Sequence, residues 1–229
     1  MNFPSETQAS APENLGHQAA TVDQRFKDVP VIDLSHIRST DFEDRQRLAE
    51  TVRDACMRVG FFYVKNHGID AELPLHALEQ AKAFFALPLD RKMEIENKKS
   101  PNFKGYSPLL SGNNNPLGRG DVQEGFEFGW EDPTGHGIDK SADGVMHGSN
   151  VWPSEGDVPH FHEDVIQYYF AAVDLGKALF PIFALALNLP EDYFEDKTRY
   201  SAALMKLLHY PPQYGPVDDR LVGIGAHTE

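Results

Sequence analysis

Apolar residues return at helical spacing over residues 41–59, where Leu48, Val52, Ala55, Cys56 and Val59 share a face. Thr40 or Asp41 is placed to cap the start of this helix and Gly60 to end it. Before it, the short apolar run Val29-Pro30-Val31-Ile32-Asp33-Leu34 predicts a strand. After it, Phe61-Phe62-Tyr63-Val64 predicts a buried strand closed by the turn Asn66-His67-Gly68. Residues 71–87 predict a second helix with Leu75, Leu78, Ala81, Phe84 and Phe85 as its core face, and residues 89–95 a short third one. Residues 123–130 alternate apolar with acidic or small residues, the mark of one strand. A long helix follows over 161–187, carrying Val165, Tyr168, Tyr169, Ala172, Leu175, Leu179 and Phe183, which Pro181 should kink or split. Residues 202–210 and 221–226 read as strands, with a loop over 211–219 between them.

Two stretches lack such periodicity. Residues 1–28, rich in Ser, Ala, Gln, Glu and Pro, read as a disordered tail. Residues 100–159 are dominated by Gly, Asn, Pro and Asp, and a loop this long in a folded domain usually carries function or has no fixed structure. The organisation expected is therefore a 1–28 tail, a 29–159 region ending in that loop, and a 160–229 region of one long helix and strands.

With 229 residues, 41% hydrophobic, the chain has enough apolar surface for a real core. Its 21 basic and 35 acidic residues give a net charge of −14, which argues against nucleic acid or an anionic membrane as partner. No uninterrupted run reaches the roughly 18 apolar residues of a membrane span. The first thirty residues carry no basic-then-apolar secretion signal, so a cytoplasmic location is expected. Cys56 is the single cysteine, which excludes an internal disulfide and any all-cysteine metal site; on an apolar helix face it reads as a core thiol.

The sharpest chemical feature is His227-Thr228-Glu229. On a strand, residues i and i+2 point the same way, so an imidazole and a carboxylate there can grip one cation. Two histidines and one carboxylate with open positions are the ligand set of non-haem Fe(II) oxygenases. Other histidines fit this chemistry less well. His160 and His162 sit at a helix start and read as a solvated cap region, His67 as a turn residue, and His136 and His147 as loop residues near Asp132, Asp139 and Asp143. His209 and Tyr210 are neighbours on a strand, so at most one of them faces a given pocket. Gly223-Ile224-Gly225 lacks the third glycine and the following helix of a dinucleotide fingerprint.

Six short motifs then occur in one order: Val31-Ile32-Asp33-Leu34 with Gly60-Phe61-Phe62-Tyr63-Val64-Lys65-Asn66-His67-Gly68; Phe84-Phe85-Ala86-Leu87-Pro88 with Lys92; Lys104-Gly105-Tyr106; Glu124-Gly125-Phe126-Glu127; His209-Tyr210-Pro211-Pro212; and Gly223-Ile224-Gly225-Ala226-His227-Thr228. Together, from about Val29 onward, they resemble the isopenicillin N synthase-like dioxygenases, the Fe(II)- and mostly 2-oxoglutarate-dependent family that includes flavonoid and gibberellin oxidases. The resemblance implies an α+β fold: a helix and strand region leading into a double-stranded β-helix, the cupin-like jelly roll. It implies Fe(II) held by His227, Glu229 and a second histidine several strands later, with O₂ and 2-oxoglutarate as co-substrates. Tyr210 would serve the co-substrate end, together with an arginine near the second histidine. Tyr106 and Phe128 would line a substrate pocket or serve as plain packing residues. The implied reaction is hydroxylation, desaturation or ring closure of a small organic molecule, in secondary metabolism.

The chain departs from the family pattern at Glu229, where aspartate is usual, and at Leu208, where asparagine is frequent. The second histidine and the arginine have no position in these 229 residues. The jelly roll is accordingly expected to be incomplete here, with strand edges open to self-association. The alternative expectation is a fragment or pseudoenzyme that binds iron weakly and does not turn over 2-oxoglutarate.

Overall fold

The computed structural model describes residues 28–112, 120–131, 149–198, 203–214 and 222–225. The elements run β1 (Val31–Asp33), α1 (Phe42–Arg58), β2 (Tyr63–Lys65), α2 (Glu72–Phe85), α3 (Leu89–Met93), β3 (Gly105–Ser107), β4 (Glu124–Gly129), α4 (Phe161–Ala186), α5 (Glu195–Thr198) and β5 (Leu204–His209). Helix α1 begins as its sequence dictates. The Asp41 carboxylate accepts from the Glu43 N–H, Glu43 and Asp44 meet the positive end of the helix dipole, and Gly60 leaves with φ +94°.

Helix α4 is the spine of the molecule. Its 26 residues, about 39 Å at the helical rise, reach two apolar cores. Near its start, Phe161, Val165 and Tyr169 pack with Ala81, Phe84 and Phe85 of α2 and with Tyr106, Phe126 and Phe128 of the sheet. Near its end, Ile182, Leu185 and Ala186 pack with Leu48, Ala49, Val52 and Ala55 of α1 and with Ile32 beside β2. The helix runs unbroken through Pro181, because both flanks are held by packing that the single lost hydrogen bond does not undo. By length and hydropathy (1.5) it is apolar enough to cross a membrane, a property masked in the sequence by interspersed charges such as Asp174 and Lys177. Here it is the helix on which α1 and α2 both lie.

The sheets are separate. β1 and β2 pair in parallel, and β4 lies between β3 and β5 in an antiparallel sheet. In β4, Glu124, Phe126 and Phe128 point to the helices, while Gly125, Glu127 and Gly129 point away. β5 alternates likewise: Met205, Leu207 and His209 lie against the core side and Leu204, Lys206 and Leu208 are exposed.

Four further expectations change. The strand after Gly60 is Tyr63–Lys65 and is not buried, because only Phe62 and Val64 reach the core while Phe61 and Tyr63 alternate outward. The covered face of α2 runs through Ala77, Ala81, Phe84 and Phe85, leaving Leu75 and Leu78 half exposed, because α4 meets the helix on the small-residue side. Cys56 is exposed rather than a core thiol: Ala55 closes the covered stripe of α1, and the next residue lies about 100° further round. In the 221–226 stretch, among the described residues, only Val222 makes a bridge, to Asp121. The expected 1–28 tail falls, but for Asp28, outside the described residues.

Because Ile182 is fully buried between α1 and α4, Ile182→Ala should cost about 2–4 kcal/mol of unfolding free energy. Urea denaturation checks this; a loss below 1 kcal/mol would mean that α4 does not join the second core.

Candidate active site

β5 ends where the chemistry begins. Its alternation sends the His209 ring to the helix side and the next residue, Tyr210, to the opposite, exposed side. His209 stacks on Phe85 at 5.4 Å between ring centres, and its Nδ1 lies 2.8 Å from Glu124 Oε1. Glu124, directly opposite His209 in register, is 4% exposed. Its other oxygen, Oε2, accepts from Lys92 Nζ at 2.7 Å and from the Tyr106 hydroxyl at 2.6 Å. Lys92 donates in addition to the Phe85 carbonyl at 3.1 Å and lies over the Tyr106 ring. One carboxylate thus ties α3, β3 and β5 to β4.

The electrostatics follow from this geometry. Burial pushes the Glu124 carboxyl up, but hydrogen bonds from Lys92, Tyr106 and His209 outweigh it and hold the group below the usual carboxylate range. Tyr106 moves the other way: burial and the Glu124 carboxylate push its phenol above the usual range, so it stays a donor.

Three residues before Glu124, a second contact reaches the segment that leads to His227. Asp121 Oδ1 accepts from the Gly225 N–H at 2.9 Å, and the Val122 N–H donates to the Val222 carbonyl at 2.8 Å. Gly223 lies against the Tyr210 ring: a Cβ there would stand 3.2 Å from Cδ1 and 3.3 Å from Cε1. Tyr210 and the 222–225 segment therefore meet on the exposed side of the β3–β4–β5 sheet.

His227 and Glu229 lie outside the described residues, as do His136 and His147. Among the described residues no group of three or more His, Cys, Asp or Glu side chains is placed to hold a metal ion. Tyr106 and Phe128, one of whose two expected placements is a substrate pocket, are buried and line neither of the two cavities found among the described residues. Both point to the helix side of the sheet, Tyr106 onto Glu124 and Phe128 against Trp152 and Tyr169, because residues 106 and 128 alternate inward on their strands. His67 is a turn residue whose Nδ1 accepts from the Ile69 N–H, and His162 pairs with Glu131 on the surface. Cavities of about 440 and 650 Å³ lie along the outer side of α4, away from Tyr210.

The sequence reading missed the roles of Glu124, Lys92 and Asp121. A signal for Glu124 was present: it shares the alternation of Phe126 and Phe128, so a charge was due at a core position and needed a buried cation.

A family model described as the N-terminal domain of non-haem dioxygenases in morphine synthesis matches residues 29–155. The chain belongs to the 2-oxoglutarate- and Fe(II)-dependent dioxygenase family. A 2-oxoglutarate-Fe(II) type oxidoreductase, hxnY of Emericella nidulans, is 34% identical over 203 residues, covering 87% of this chain and 58% of the relative. The 2-oxoglutarate-dependent dioxygenase tropC of Talaromyces stipitatus is 33% identical over 209 residues, covering 88% and 63%. Among solved structures, a 2OG-Fe(II) oxygenase family protein from Caulobacter crescentus superposes with a TM-score of 0.68 at 28% identity, over 83% of this chain and 58% of that one. Neurospora crassa T7H, solved with alpha-KG, shares the fold at 24% identity with a TM-score of 0.67, over 82% and 57%. The chain thus spans less than two thirds of the length of these relatives. The mixed helix and sheet expected for the family is present, and these oxygenases share its fold.

The buried carboxylate has a pH signature. A group whose pKa is depressed on folding contributes stability above its unfolded value, and that stability is lost as pH falls through the folded value. Glu124→Gln should therefore cost about 3 kcal/mol at neutral pH, with the gap to the unsubstituted protein narrowing as pH falls below the ordinary glutamate value. Denaturant unfolding from pH 3 to 7 reads this; a gap independent of pH would mean that Glu124 is not ionised in the core.

Proposed function

We propose that this protein carries out Fe(II)- and 2-oxoglutarate-dependent oxidation of a small organic molecule, by hydroxylation, desaturation or ring closure, within secondary metabolism. The observation that carries the reading is the meeting of Tyr210 with the segment leading to His227 on one exposed sheet face, in a chain of this family. Relatives named as 2-oxoglutarate-Fe(II) oxidoreductases and dioxygenases support it.

The donor set suits the group. An imidazole nitrogen from His227 and a carboxylate oxygen from Glu229 are ligands that ferrous iron accepts, and two such residues on one strand share a side. Glu229 is one methylene longer than the aspartate usual in the family and would reach further for the same ion. When bound, the iron supplies the oxidising chemistry with O₂ and 2-oxoglutarate. The chain supplies placement. Tyr210, exposed beside Gly223, can turn its hydroxyl to a co-substrate carboxylate. The packed helix side of the sheet keeps water from beneath it, because Phe126 and Phe128 seal that face. The net charge of −14 fits a small-molecule substrate better than a polyanion, and a cytoplasmic location is part of the same reading.

The test is succinate release from 2-oxoglutarate under air by the protein at its full natural length, loaded anaerobically with Fe(II). His227→Ala and Glu229→Ala should each lower iron retention and succinate release on the order of a hundredfold. Unaltered iron content in His227→Ala would remove that residue from the ligand set and the reading with it.

A further inference from the structure

Asp121 is held more firmly than a loop residue usually is. Its N–H donates to the Gly112 carbonyl at 2.7 Å, and its carbonyl accepts from the Leu110 N–H at 3.0 Å. Asp121 is 5% exposed, and the residue before it must be glycine: Gly120 has φ +97°, and a Cβ there would meet the Leu110 carbonyl oxygen at 2.7 Å. A carboxylate fixed in this way presents its oxygen at a defined height, and what it grips is the Gly225 N–H, two residues before His227.

Glu124 does the same for the other half of the site. It grips His209, one residue before Tyr210, and it stands three residues after Asp121 on the same continuous stretch. The short bracket 121–124 therefore spans from the segment entering the metal motif to the strand ending at Tyr210. Hydrogen bonds of 2.9 and 2.8 Å fix its two arms.

We propose that Asp121 is a positioning residue for the iron-binding segment, setting its register against β4 while Glu124 sets that of Tyr210, so that metal and co-substrate ends are aligned through one stretch of backbone. This rests on the reading of His227 as an iron ligand, and it deepens it by naming a residue outside the ligand set. The role belongs to the hydrogen bond rather than to the charge. Asparagine keeps an accepting oxygen at the same place, whereas alanine keeps none.

The experiment uses Mn(II) alone as the probe, titrated into the full chain and followed by electron paramagnetic resonance, alongside hydrogen exchange at the Gly225 amide. Asp121→Ala should weaken Mn(II) binding roughly tenfold and speed exchange at Gly225, and Asp121→Asn should restore both. Loss in both variants alike would assign the effect to charge and overturn the positioning role, as would wild-type Mn(II) affinity in a folded Asp121→Ala protein. Unchanged exchange at Gly225 would overturn the grip itself. If Asp121→Ala does not fold, Asp121→Glu carries the test: its longer reach displaces the segment, and wild-type affinity and exchange there contradict the proposal. A failure of the iron-site reading looks different, since His227→Ala then leaves Mn(II) binding untouched. In that case faster exchange at Gly225 in Asp121→Ala still supports the grip, and unchanged exchange refutes it.

Discussion

A carboxylate in an aromatic core is tolerated only if every lone pair it turns inward finds a donor, and Glu124 is surrounded by donors on three other elements. Much else depends on that requirement. Lys92 must come from α3 and Tyr106 from β3, which fixes how the turn after α2 meets the sheet. His209 must stand opposite Glu124, which sets the register of β5 on β4, since a slip of one residue would turn every side chain of β5 over. With His209 inward, Tyr210 has one direction left to it. The exposed placement of Tyr210 is thus a consequence of a buried charge on the other side of the sheet.

The helices supply the floor for this arrangement. α4 crosses both cores and, with Phe84 of α2, gives β4 an aromatic backing of Phe161 and Tyr169, in which Phe126 packs edge-on to Phe161 at 5.3 Å. Asn150 closes the far end of β4 by accepting from the Gly129 N–H and donating to the Gly129 carbonyl, taking the place of a neighbouring strand. At the near end, Asp121 and Val122 receive the 222–225 segment. A strand secured at both ends and from beneath is a rigid support for a site on its remaining face.

Much of this was legible in the sequence, for reasons that differ by residue. The start of α1 was readable because Asp41 is a local cap, and β4 because an alternating pattern of six residues has few other readings. The opposition of His209 and Tyr210 follows from strand geometry alone. What was not legible depends on tertiary contact. Which stripe of α2 is covered is decided by where α4 lies, so helical spacing alone points Leu75 and Leu78 inward, whereas Ala77 faces the core. Tyr106 and Phe128 suit a pocket by composition, and only the side to which their strands turn them shows that they are packing residues. The link from Asp121 to Gly225 joins residues 104 apart, a distance over which local pattern carries no information.

Family membership explains the order of the motifs, while the buried carboxylate explains why they converge. The claim that one ionised group holds these elements in register is tested most directly by a double-mutant cycle on Lys92→Met and Glu124→Gln, with stability measured by denaturant at neutral pH. The account predicts a double variant more stable than the sum of the singles implies, by at least about 1 kcal/mol, because removing both partners leaves no buried charge. Strict additivity, within about 0.3 kcal/mol, would contradict it.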